Sequence, residues 1–237
     1  AVTQARQRLG ASPLAYLFDQ SARAWCRQDA EHHAWQGLSL WAMDGTTFRT
    51  PDSADNRAHF GAQAYASGKV ASYPQVRAVS VTAIPTHLVS DIAFGEYGQN
   101  EMLYAKTLID GIADHSLTVF DRGFLCAEIL LGLTMAGEQR HYLIPAKSNT
   151  KWEVLSGHAD DCLVRLRVSP QARAKAPELP AHWTARAVRM VSANGKERIL
   201  LTSLLDRQRF PAPALAECYR RRWEIETSYR ELKQSLL

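Results

Sequence analysis

Two short apolar runs, each closed by an aspartate, constrain this chain more than any other feature. Leu38-Ser-Leu-Trp-Ala-Met43 ends in Asp44-Gly45, and Leu117-Thr-Val-Phe120 ends in Asp121-Arg122-Gly123-Phe124. Apolar before and polar after is how a buried strand reads at its carboxyl end, and open α/β sheets build ligand sites at that end. Taken singly, each is also an ordinary strand-ending turn, since Asp-Gly is a frequent turn pair.

A third acid lies on a late helix. Read at the helical angle, Tyr219, Arg222, Glu226 and Lys233 fall within an arc of about 60°. One face then carries a carboxylate, two cations and a phenol. Such a face can hold a metal ion beside a phosphate, the carboxylate taking the metal and the cations the substrate oxygens. The same residues also describe an exposed helix with an Arg222–Glu226 ion pair. Asp44, Asp121 and Glu226 are so far apart in the chain that only a fold could assemble them.

Together the three segments carry a family resemblance. Trp41-Ala-Met-Asp44-Gly-Thr-Thr-Phe48, then Phe120-Asp121-Arg-Gly-Phe124, then Tyr219-x2-Arg222-x3-Glu226-x6-Lys233 resemble the three blocks of a bacterial DDE transposase, and more closely those of the insertion sequence 4 family. The likeness runs from about Leu38 to the end of the chain. It implies an α/β fold: a ribonuclease-H-like mixed sheet flanked by helices, whose first and fourth strands lie adjacent and parallel. The residue pattern agrees with that order. Arg77–Ile84 and His87–Phe94 read as a hairpin across Pro85-Thr86, Glu101–Ile112 as a helix, and Leu125–Met135 as the helix after Asp121. Residues 49–75 are polar and read as a long excursion near the site.

His141–Pro145 reads as the next strand. After it, 146–205 breaks the alternation with three strand-like segments, Asp161–Val168, Trp183–Val191 and Arg198–Ser203. Asn194-Gly195 is a hairpin signal between the last two, and Pro170–Pro180 reads as a loop. This is the β-rich insertion between second and third acids that the resemblance implies. Domain 38–237 is thus expected to be the DDE catalytic domain. Residues 1–37 are expected to be a helical lead-in, helical from Val2 to about Gln28. The missing initiator Met and the uncapped Gln234-Ser-Leu-Leu237 read as signs of a fragment that lacks end-binding and assembly regions.

Charge is uneven along the chain. Residues 140–200 carry eleven Lys/Arg against five Asp/Glu, whereas residues 1–139 carry ten against fourteen. An acid-bearing region followed by a basic one suits a metal-dependent enzyme acting on a polyanion, and a solvated basic face would look the same. The four cysteines have no C-x-x-C spacing and the eight histidines no H-E-x-x-H spacing. Zinc and redox sites are therefore not expected, and a reduced cytoplasmic setting is. No apolar run approaches the roughly 18 residues of a membrane span, so a membrane partner is not expected.

By resemblance, Asp44, Asp121 and Glu226 would be the catalytic acids and would hold two Mg²⁺ ions, with Mn²⁺ able to substitute. Tyr219, Arg222, Lys233 and Arg122 would contact double-stranded DNA, both transposon ends and target, with a homodimer on the DNA. Trp223 either stacks on an extruded base or packs against the sheet. The chemistry would be nicking, hairpin formation and strand transfer. A metal-dependent nuclease on the same fold and a catalytically silent DNA-binding remnant are the competing readings.

Overall fold

Side-chain alternation along the first strand divides the protein into two faces. In the computed structural model, which describes residues 2–64, 68–192 and 195–235, β1 (Ser39–Arg49) sends Trp41 and Met43 into one core and Leu40 and Ala42 into the other. β1 pairs in parallel with β4 (Ser116–Phe120) and antiparallel with β2 (Gln75–Ala83). β3 (Val89–Glu96) completes the hairpin outside β2, and β5 (Arg140–Pro145) lies parallel to β4 on its other side. β4 is buried along its whole length, as a central parallel strand is. The first and fourth strands are adjacent and parallel, so the mixed, helix-flanked, ribonuclease-H-like sheet expected from the sequence is present.

The stretch between Asp121 and Glu226 extends this sheet. β6 (Trp152–His158), β7 (Asp161–Arg167), β8 (His182–Val191) and β9 (Glu197–Thr202) join through β9 against β5, giving the order β3-β2-β1-β4-β5-β9-β8-β7-β6. β6 was not among the expected strands. As an edge strand it is exposed from Glu153 to His158, so it shows no buried face to read. Pro170–Pro180 is not all loop: it begins with α6 (Pro170–Lys175), whose first turn is capped by Ser169 Oγ accepting from the Ala172 N–H at 3.1 Å. Asn194 of the expected turn lies outside the described residues, while β8 and β9 pair up to Val191 and Glu197.

On one face of the sheet lie α4 (Glu101–Leu108) and α5 (Ala127–Met135). α5 buries Ile129, Leu130, Leu131 and Leu133, at about 2 kcal/mol each. The lead-in forms two helices, α1 (Val2–Leu9) and α2 (Ser12–His32), separated at Gly10 in the left-handed region (φ 72°). Cys26 of α2 joins the core cluster that holds Trp41 and Met43. Residues 49–75 hold the end of β1 and α3 (Ala54–Phe60), capped by Ser53. On the opposite face α7 (Ala212–Arg220) and α8 (Trp223–Ser235) pack Leu215, Tyr219, Ile225 and Tyr229 against Leu40, Ala42 and Val119. Among the described residues no helix is long and apolar enough to cross a membrane.

Candidate active site

Asp44 lies within β1 and not at its end. Parallel pairing with β4 stops at Met43, yet antiparallel pairing with β2 carries β1 on to Arg49. β2 stays alongside after β4 has turned away, and that keeps the strand going. One further step of the parallel register sets Asp44 beside Asp121. Asp121 caps the 3₁₀ turn Arg122–Phe124, its Oδ2 accepting from the Gly123 N–H at 3.2 Å.

The single helix expected over 219–233 is two. α7 ends at Arg220 and α8 begins at Trp223. The joint is tightened by i→i+3 bonds from Arg222 N–H to the Tyr219 carbonyl and from Ile225 N–H to the Arg222 carbonyl, each 3.1 Å. The common face is broken there. Tyr219 turns into the core at 2% exposure, and burial, against the pull of Arg222, pushes its phenol up from its ordinary range.

Arg222 is the hub of the site. Its Nη1 donates to Asp44 Oδ2 at 2.8 Å and its Nη2 to Glu226 Oε1 at 3.2 Å. The residue is 6% exposed, and its buried Nε has no hydrogen-bond partner. Burial works against the guanidinium charge, but Asp44, Tyr219, Asp121 and Glu226 together hold it firmly charged. The Asp44 carboxyl shifts the opposite way from what an ion pair alone would give. Burial pushes it up to about 6, against Arg222 and the Gly45 N–H, and the charges of Asp121 and Glu226 push the same way. Like charges gathered in a half-dry site are short of a cation.

The other expected contacts sit around this hub. Trp223 is 58% exposed, its ring centroid 5.5 Å from the Arg222 guanidinium carbon, so the indole faces solvent and does not pack against the sheet. Lys233 Nζ lies 5.6 Å from the ring centroid of Phe48, which alternation puts on the same side of β1 as Asp44. Burial pulls the Lys233 ammonium down from its usual range. Arg122 is exposed beside Asp121.

Sequence reasoning missed Tyr229 and Ser80. The Tyr229 hydroxyl donates to the Asp44 carbonyl at 2.5 Å and shares a hydrogen bond with Ser80 Oγ at 2.9 Å, and Ser80 Oγ in turn lies 3.1 Å from Thr82 Oγ1. The helix of the third acid is thus fastened to the strand of the first. Two hydroxyls in the otherwise apolar stretch Ala78–Ala83, and a tyrosine three residues past Glu226, were the available signals. Tyr229→Phe removes the hydroxyl that ties the Asp44 carbonyl to Ser80 Oγ and is expected to cost about 1–2 kcal/mol. Urea unfolding checks this, and a loss of only a few tenths would mean that the latch carries no load.

The donors of the three acids are all oxygen, the set suited to Mg²⁺ or Mn²⁺. Among the described residues no three His, Cys, Asp or Glu side chains stand close enough to hold one ion as they are. The Arg222 guanidinium lies between Asp44 and Glu226 instead, a cation already bound where a cation is wanted. The residues fit a divalent metal once that guanidinium yields.

The chain also resembles known proteins. Residues 35–237 match the family described as "Transposase DDE domain". The transposase InsG for insertion sequence element IS4, from Escherichia coli strain K12, is 41% identical over 238 residues, covering 100% of this chain and 53% of its own length. The putative transposase InsZ of the same strain is 36% identical over 155 residues, covering 65% of this chain and 52% of its own length. The chain therefore spans about half the length of these curated relatives. A cryo-EM structure of a piggyBac transposase synaptic complex with hairpin DNA aligns with TM-score 0.47 and 10% identity over 80% of this chain and 39% of that one.

Proposed function

The chain belongs to the DDE transposase family, in its insertion sequence 4 group, and from that premise we propose that it cuts DNA at the ends of an insertion element and joins the freed ends to target DNA. The observation that carries the proposal is the convergence of Asp44 and Glu226, from opposite ends of the chain, on one buried guanidinium. Asp44, Asp121 and Glu226 would hold two divalent ions, Mg²⁺ with Mn²⁺ able to substitute. When bound, these supply Lewis acidity to the attacking and leaving oxygens of phosphodiester exchange. The protein's own work is then positioning and charge.

Arg222 holds the acids together in the free protein and turns its guanidinium to a phosphate of the transposon end when DNA arrives. Its unpaired Nε is free to take part in that contact. Tyr219, being buried, serves DNA by orienting Arg222. Lys233, further along α8 on the same side of β1, takes a second phosphate, and Arg122 a third beside Asp121. The exposed Trp223 offers its face to a base drawn out of the stack during hairpin formation. The working form is a homodimer on double-stranded DNA in the bacterial cytoplasm.

Mg²⁺-dependent nicking and joining of labelled duplexes that carry the element's own ends tests this reading. Joined products are expected. Cleavage that never leads to joining would make the protein a nuclease on this fold. Bound but uncut DNA would make it a silent remnant. In the same assay Trp223→Ala is expected to leave nicking within about threefold and to lower hairpin formation about tenfold or more, because a stacked base is worth roughly 1–3 kcal/mol. Equal loss of both steps would remove Trp223 from the hairpin step.

A further inference from the structure

A cleft of about 490 Å³ opens between the start of α5, the segment after β5, and the β7–α6 corner. Its wall includes Leu125 and Cys126, which follow directly on the turn begun at Asp121. Four cations line it: Lys147, Lys151, Arg167 and Lys175. The acid in its wall, Glu128, is already engaged by Lys106.

How the neighbouring acids are used makes the concentration of charge sharper. Residues 140–200 hold five acids, and four of them are spent on arginines elsewhere. Glu153 pairs with Arg165, Asp160 and Glu197 pair with Arg189, and Asp161 pairs with Arg186. Among the described residues no ion pair engages Lys151, Arg167 or Lys175, and all three are exposed. Four of the insertion's five acids are thus spent on arginines that do not line the cleft, and the cations at the cleft are left open.

We propose that this cleft binds the phosphodiester backbone of a DNA strand, with Lys151, Arg167 and Lys175 each neutralising a phosphate. The assignment rests on the reading of the protein as a DNA-cutting enzyme and adds a second contact region to it, distinct from α8. Exposed ammonium and guanidinium groups around a concave surface suit a repeating polyanion. They suit a compact anion less, because all three charged groups are exposed to solvent.

Salt dependence tests it. Log affinity falls with log salt by about 0.9 per phosphate neutralised. The triple variant Lys151→Gln, Arg167→Gln, Lys175→Gln should therefore bind a duplex carrying the element's end with a slope less steep by about 2–3 than the wild type. Arg6→Gln, Arg8→Gln, Lys69→Gln removes the same charge at exposed positions outside the cleft, and its slope should stay within about one of the wild type. An unchanged slope in the cleft variant, or an equal fall in both variants, overturns the cleft. Wild-type nicking of element ends in that case leaves the broader reading standing. Conversely, a reduced slope with no wild-type cleavage keeps the cleft as a polyanion surface and defeats the enzyme reading.

Discussion

Asp44→Asn, Asp121→Asn and Glu226→Gln should each lower cleavage of element ends by about 10³-fold or more, a loss of roughly 4 kcal/mol of transition-state stabilisation. DNA affinity should stay within about threefold, because none of these acids is a cation facing phosphate. Asp44→Asn should carry a second and opposite signature. In the metal-free protein its carboxyl is held up at about 6, above its ordinary value. A raised carboxyl favours the fold below that ordinary value, and the advantage is lost as pH rises through about 6. At pH 8 the charged, 18% exposed side chain therefore costs the wild type about 2–3 kcal/mol that an amide does not. The variant should melt higher than the wild type at pH 8 without metal, and the gap should close toward pH 4. Added Mg²⁺ should stabilise the wild type and not the variant. A variant that melts lower at pH 8 would mean that the Arg222 bond outweighs burial, and the picture of acids short of a cation would fail.

What could be read in advance followed burial. Leu38–Met43 and Leu117–Phe120 were legible because nearly every residue in them is covered, which leaves an apolar run in the sequence. Past Met43 the strand is half-exposed and rich in Gly and Thr, and its continuation depends on β2, a partner that local pattern cannot announce. The break between α7 and α8 was invisible for a related reason. Arg220-Arg221-Arg222-Trp223 is compatible with a continuous helix, and what stops it is Arg222 reaching a strand far away in the chain. Of three consecutive arginines, Arg220 is exposed and Arg222 is buried. The basic excess of 140–200 was countable from the sequence. Its focus at one cleft was not, because that depends on which arginines Glu153, Asp160, Asp161 and Glu197 hold.

Arg186→Met should be the most damaging single change to the fold outside the apolar cores, at about 3–5 kcal/mol. Arg186 on β8 is 1% exposed. It grips Asp161 at both oxygens, Nε to Oδ1 at 2.7 Å and Nη2 to Oδ2 at 2.6 Å, and donates Nη1 to the Phe210 carbonyl at 2.6 Å. Removing it leaves a half-buried carboxylate and a buried carbonyl unpaired. Arg207 reaches Asp161 at 3.3 Å and can recover part of the first loss; the carbonyl has no substitute at hand. For a domain of this size the expected drop in Tm is roughly 10 °C or more. Arg186→Met with Asp161→Leu should restore much of it, since an apolar pair of similar volume carries no stranded charge. The hydrogen bonds from Arg186 also hold the Asp161 carboxyl below its ordinary range. A lowered carboxyl contributes stability above that range and loses it as pH falls through its folded value. The gap between wild type and Arg186→Met should therefore narrow in strong acid. Phe210 stands just before Pro211, the N-cap of α7, and α7 leads into the helix that carries Glu226. Arg186 thereby fixes the β-rich extension to the start of the helical arm that delivers the third acid. A drop below about 1 kcal/mol would show that the arm is held by its apolar packing alone.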